Sequence, residues 1–98
     1  MSDNAEFARK FLAAVYPLPP VWAQVLNVVG EAGEFAEAYR RYTGHARRNG
    51  SLSETGEELA DVVISAYVAA ERLGIGLDAF IAEKQVKVMT RGFKEQAS

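Results

Sequence analysis

The sequence predicts an all-α fold, and three observations carry that prediction. Apolar residues recur at spacings of three and four along most of the chain, the period of one helix face. Proline and glycine clusters divide it into four such segments. No stretch shows the strict apolar–polar alternation of a half-buried strand, and there is no internal repeat or low-complexity run.

The first segment reads as a helix from Asn4 to Val15, with Phe7, Phe11, Leu12 and Val15 at helical spacing. Tyr16-Pro17-Leu18-Pro19-Pro20 stops it, because proline breaks the hydrogen-bond ladder and restricts the residue before it. Pro20 also suits the first turn of a second helix, Val21 to Tyr42. Its apolar side is Trp22, Val25, Leu26, Val29, Phe35, Ala36 and Tyr39, and Gly44 is its expected C-terminal cap. Gly44 to Gly50 is a polar, basic loop. A third helix begins at Ser51 or Ser53, where Ser51 and Glu54 fit a capping box, and runs to Leu73 before Gly74. The fourth spans Leu77 to Arg91, with Phe80, Ile81, Val86 and Val88 as apolar positions. Residues 94–98 form a frayed tail.

The chain reads as one domain of 98 residues. Its hydrophobic fraction, 49%, is at the high end for a soluble domain, and a small bundle hides it poorly, so self-association is expected. A net charge of −2 lacks the basic footprint of a duplex-DNA binder. With no cysteine, disulfides and thiolate metal sites are excluded. The single His45 cannot build a zinc centre alone. The acidic N-terminus lacks the apolar core of a signal peptide, and no apolar run reaches membrane-span length. A cytoplasmic protein is the default expectation.

Two motifs stand out, Glu31-Ala-Gly-Glu34 and Glu58-Leu-Ala-Asp61. Each places two acids three apart, on one side of a helix. Such pairs also decorate solvated helices. Here each sits in an apolar stretch, and Gly30 and Gly33 flank the first at a helix-propensity cost of about 1 kcal/mol each. Packed together, the two helices would gather four carboxylates, which resist desolvation unless a cation joins them. Mg²⁺ is the expected cation, with Mn²⁺ as a substitute, because it takes hard oxygen ligands and works against phosphates. Lys84, Lys87 and Arg91 share one face of the fourth helix and suit a polyphosphate, although a solvated stripe reads equally well. Arg40, Arg41, Arg47 and Arg48 form a second basic cluster around the loop. Tyr42, at a helix end, is the aromatic best placed to stack on a base.

Residues Gly30 to Ala38, followed by Glu57 to Val63, resemble the all-α nucleoside triphosphate pyrophosphohydrolases of the MazG type. Their signature is ExxE, a gap, then ExxD, and here 23 residues separate Glu34 from Glu58. The resemblance runs from about Pro20 to Phe93. It implies a four-helix, bundle-like fold assembling as a dimer or a dimer of dimers. It implies Mg²⁺ held by Glu31, Glu34, Glu58 and Asp61, and cleavage of a nucleoside triphosphate between its α and β phosphates. Glu34 or Glu31 would be the general base, and Lys84, Lys87, Arg91, Tyr42, Arg47 and Arg48 would contact substrate. Two positions depart from the pattern. Val88 stands where many relatives carry an Asn that touches substrate, and Gly30 where some carry a further Glu. A binding module that keeps the fold and metal site without turnover is the alternative reading. Neither nucleic acid nor membrane is an expected partner.

Overall fold

A computed structural model describes residues 2–46 and 49–92. Four α-helices follow one another: α1 Asp3–Ala14, α2 Val21–Tyr42, α3 Leu52–Leu73 and α4 Leu77–Lys87, with a π-helical turn over Val88–Gly92. No strand occurs among the described residues. None of the helices is long and apolar enough to cross a membrane.

The helix ends show why the segments stop where they do. Ser2 Oγ accepts from the Ala5 amide at 3.1 Å, and Ser51 Oγ from the Glu54 amide at 3.1 Å, each satisfying a free donor of a first turn. Gly44 and Gly74 close α2 and α3 at φ 80° and 70°, left-handed backbone that glycine adopts without a Cβ clash. Past each one the chain folds back, His45 N–H to Arg40 C=O at 2.8 Å and Ile75 N–H to Ala70 C=O at 2.9 Å.

The fourth segment differs from the expected single helix to Arg91. Its α-helical part ends at Lys87 and the backbone widens into the π-helical turn. The Thr90 hydroxyl donates to the Val86 carbonyl at 2.8 Å there, a side-chain bond that competes with the helical ladder among β-branched Val86, Val88 and Thr90.

Helices α2 and α3 form an antiparallel pair. Gly50 N–H donates to Arg41 C=O at 3.1 Å, so the loop turns tightly back onto α2. A Cβ on Gly50 would lie 2.7 Å from Arg41 Cβ, and only glycine allows that approach. At the other end Arg72 of α3 donates to the Pro19 carbonyl at 2.8 Å and to Gln24 Oε1. Between them Ala38 is fully buried, a small residue that lets the backbones come close. Helix α1 crosses α3, and Ala8, Tyr67 and Val68 form the core there with Ala5, Leu12 and Leu77 at its margin.

Among the described residues, the side-chain hydrogen bonds that fasten helix α4 to the rest of the fold are at its first turn. Asp78 accepts from Ser2 N–H and from the Tyr67 hydroxyl, both at 2.7 Å. The Ser2 amide first, then the Tyr67 hydroxyl, hold the Asp78 carboxyl below the usual carboxylate range. The same bond, with burial, raises the Tyr67 hydroxyl. From Ala79 to Arg91 every residue is exposed.

The single chain therefore leaves much apolar surface in water. Trp22, Leu26 and Val29, counted above as the apolar side of α2, are 67%, 58% and 70% exposed. No large side chain is fully buried among the described residues. The accessible surface is 7336 Å², against about 5,500 Å² for a globular monomer of this mass. The radius of gyration is 16.1 Å, against about 12.6 Å for a compact domain of this length.

Candidate metal centre

The less exposed positions of α2 and α3 recur at spacings of three and four. On α2 they include Gln24, Val28, Glu31, Phe35 and Ala38, and on α3 Thr55, Glu58, Val62, Ser65, Ala69 and Arg72. These are the seams along which the two helices meet. Glu31 and Glu58 occupy seam positions where an apolar residue would ordinarily pack. Both are half-buried. Glu34, less than one turn further along α2, is exposed at the edge of the seam.

The antiparallel pairing brings three of the four predicted ligands together. One carboxylate oxygen from each of Glu31, Glu34 and Glu58 lies within 4.8 Å of the other two. Asp61 stands one turn beyond Glu58, outside that set. It lines an adjoining cleft together with Glu31, and its charge bears on Glu31. Glu31 Oε2 and Glu58 Oε2 are buried and have no hydrogen-bond partner among the described residues. Burial, then the charges of Glu34 and Asp61, the hydrogen bond with Glu34 and the charge of Glu58 hold the Glu31 carboxyl above the usual range.

Buried carboxylate oxygens without partners are costly, and a cation removes the cost. The donors are all carboxylate oxygens on two rigid helices. That is a donor set for a hard divalent cation rather than for thiolate- or imidazole-seeking metals. No family model, curated protein or solved structure matches this chain.

The remaining predicted contacts are spread more widely. Lys84, Lys87 and Arg91 are exposed on the free part of the fourth segment, and none pairs with an acid among the described residues. Tyr42 is 45% exposed at the end of α2. Arg47 and Arg48 lie outside the described residues. Arg40 is engaged by Glu37 at 2.9 Å and by the His45 carbonyl at 3.1 Å. His45 Nδ1 meets Thr43 Oγ1 at 2.9 Å. Arg41, on the same side of α2 as Glu34, keeps a buried Nε without a partner among the described residues.

Gln24 and Asn27, which the sequence did not single out, and Phe11, which it gave only as an apolar helix position, line the cleft that Glu31 and Asp61 share. Asn27 and Gln24 lie four and seven positions before Glu31. That spacing on one helix face is a readable signal. Phe11 arrives from α1 through tertiary packing, which no spacing reveals.

The raised Glu31 carboxyl gives a pH test with a definite sign. Without metal, the folded state keeps a proton that the unfolded chain releases near its ordinary value of 4.5. Stability is then highest on the acid side of that window and falls as pH rises through the raised value. In EDTA the melting temperature should fall as pH rises from the ordinary value of 4.5 through the raised value, and then level off. A divalent cation held by the ionised carboxylates should reverse the trend, and Mg²⁺ is the one to add. Thermal melts with and without Mg²⁺ check this. A flat EDTA profile would mean that the acids do not interact.

Proposed function

We propose that this chain is a Mg²⁺-dependent nucleoside triphosphate pyrophosphohydrolase of the MazG type, working as a homodimer or dimer of dimers in cytoplasmic nucleotide housecleaning. The observation that carries the reading is the trio Glu31, Glu34 and Glu58, two of whose oxygens are buried without partners between antiparallel helices.

Glu31, Glu34 and Glu58 would hold the metal, with Asp61 beside them. Bound there, Mg²⁺ supplies charge neutralisation for the phosphates and a more acidic water. Attack of a water oxygen on the α-phosphorus breaks the bond to the oxygen bridging to the β-phosphate. Pyrophosphate leaves with that oxygen, and the nucleoside monophosphate keeps the new one. Glu34 or Glu31, whichever oxygen is not engaged by metal, takes the proton from the water. Glu34 has the better access, being exposed, while burial and its neighbours hold the Glu31 carboxyl above its usual range. Arg41 has an unsatisfied donor on the Glu34 side of α2, suited to the departing pyrophosphate. The surplus of about 1,800 Å² of surface per chain over a globular monomer is of the size that obligate dimers bury.

A second reading, a nucleotide-binding module without turnover, is favoured by one observation. Lys84, Lys87 and Arg91 make no ion pair with an acid among the described residues, and the apolar Val88 opens the π-helical turn between them.

The experiment is pyrophosphate release in Mg²⁺ from a panel of canonical and modified nucleoside and deoxynucleoside triphosphates. Pyrophosphate and monophosphate in equal amounts are the expected products. Mg²⁺-dependent stabilisation with no product across the panel would replace the hydrolase by the binding module.

A further inference from the structure

The cleft beside the acids has a composition that the metal chemistry does not explain. It encloses about 160 Å³ between α1, α2 and α3 and ends at Glu31 and Asp61. Apart from those two acids its walls are half apolar, Phe11, Ile64 and Val68, and half neutral polar, Gln24, Asn27 and Ser65. No Lys or Arg lines it, and Arg72 behind Gln24 is already engaged by Gln24 Oε1 and the Pro19 carbonyl. A flat heterocycle would meet an aromatic face and hydrogen-bonding groups.

Each group is available for such a ligand. Phe11 is 40% exposed and is backed by Phe7, the ring centres 6.1 Å apart and the planes 20° from parallel. Gln24 spends its oxygen on Arg72, which leaves its NH₂ to donate. Ser65 Oγ donates to the Val62 carbonyl at 3.0 Å and keeps its lone pairs. The Asn27 side chain is exposed at the mouth, one donor and one acceptor on a single amide. Along α2, Asn27 lies about 6 Å and Gln24 about 10.5 Å before Glu31, at 1.5 Å per residue. The cleft thus begins at the metal centre and runs toward the start of α2, while Glu34 and Arg41 lie the other way.

We propose that this cleft seats the base of the nucleotide, and that the base is a single-ring pyrimidine. The proposal rests on the nucleotide reading above and gives the substrate a direction across the site. The base stacks on Phe11 and is read by the Asn27 and Gln24 amides. Its α-phosphate lies at Glu31, and the β- and γ-phosphates extend past Glu34. The volume sets the size, since pockets for whole small-molecule ligands start near ~300 Å³, and about half of that admits one ring.

The test compares deoxycytidine, deoxyuridine, deoxyadenosine and deoxyguanosine triphosphates in Mg²⁺, using the full chain and its Asn27→Ala and Phe11→Ala variants. Cleavage is read as kcat/KM. Binding is read separately, from thermal stabilisation by the non-cleavable α,β-imido analogues. The wild type should favour pyrimidines at least tenfold in both readings. Asn27→Ala should raise KM for pyrimidines tenfold or more with kcat little changed, shrinking the preference while stabilisation by Mg²⁺ alone persists. Phe11→Ala should weaken all four analogues. A wild-type purine preference, or an unchanged base ranking in both variants, overturns the base site even if hydrolysis is found. Pyrimidine-selective binding that depends on Asn27, with no cleavage, keeps the base site and rejects the hydrolase. Absence of any nucleotide binding rejects both.

Discussion

Glu34→Ala should lower kcat/KM for pyrophosphate release by about 10²–10³-fold or more, the range seen when one preorganised charge-stabilising group is removed. In EDTA the same variant should melt at a higher temperature than the wild type. These opposite signs follow from one geometry. Glu34 places an oxygen within 4.8 Å of oxygens on Glu31 and Glu58, and its charge is one of the forces raising the Glu31 carboxyl. Without metal it is a source of repulsion, and its loss is a relief. If it is a Mg²⁺ ligand as proposed, its loss shrinks the stabilisation that a native-state ligand confers. Paired melts in EDTA and Mg²⁺, beside a turnover assay, read all three. A variant that melts lower in both conditions would make Glu34 a structural residue.

Leu26→Asp should be severe, although Leu26 is 58% exposed in the single chain. On a true monomer surface, such a change is worth within about 0.5 kcal/mol. If the Trp22–Leu26–Val29 stripe is the buried face of an assembly, each chain loses a leucine's burial, about 1.5–3 kcal/mol. It also places a carboxylate where no partner waits, a further cost of several kcal/mol by order of magnitude. The expected result is an assembly that falls apart on dilution and a chain that melts early or does not fold. Sedimentation across a concentration series and denaturant melts decide it. An unchanged mass and midpoint would leave that stripe of α2 free of any interface.

Much of the fold was legible because the signals were local. The proline cluster before Val21, Ser51 ahead of α3 and glycines 44 and 74 behave as their conformational preferences require, and α2 has the bounds that its spacing predicts. The change of helix type after Lys87 was not legible, since it follows a bond between Thr90 and Val86 that propensity alone does not foresee. In the site, acids three apart on two helices pointed to a cluster. Which of them meet depended on the stagger between α2 and α3, set by Gly50 against Arg41 and by Arg72 against Gln24. That stagger leaves Asp61 to the cleft. The base-sized cleft needed α1 to supply Phe11, a contact between residues distant in sequence. Apolar periodicity also says that a face will be buried without saying in which chain, which is why Trp22, Leu26 and Val29 read as core and stand in solvent.

The placement of Glu31 and Glu58 within the helix seam has a consequence for how this protein could evolve. Those two positions lie among the contacts that hold α2 to α3, so the surface that joins the helices is also the surface that gathers the charge. Selection for thermal robustness alone would favour aliphatic side chains at both, a direct trade-off between rigidity and chemistry. A laboratory lineage screened only for heat resistance would be drawn to erase these carboxylates. Under the proposed function, one screened for turnover would keep them and collect its compensating gains elsewhere, at helix caps and on the outer faces of the pair.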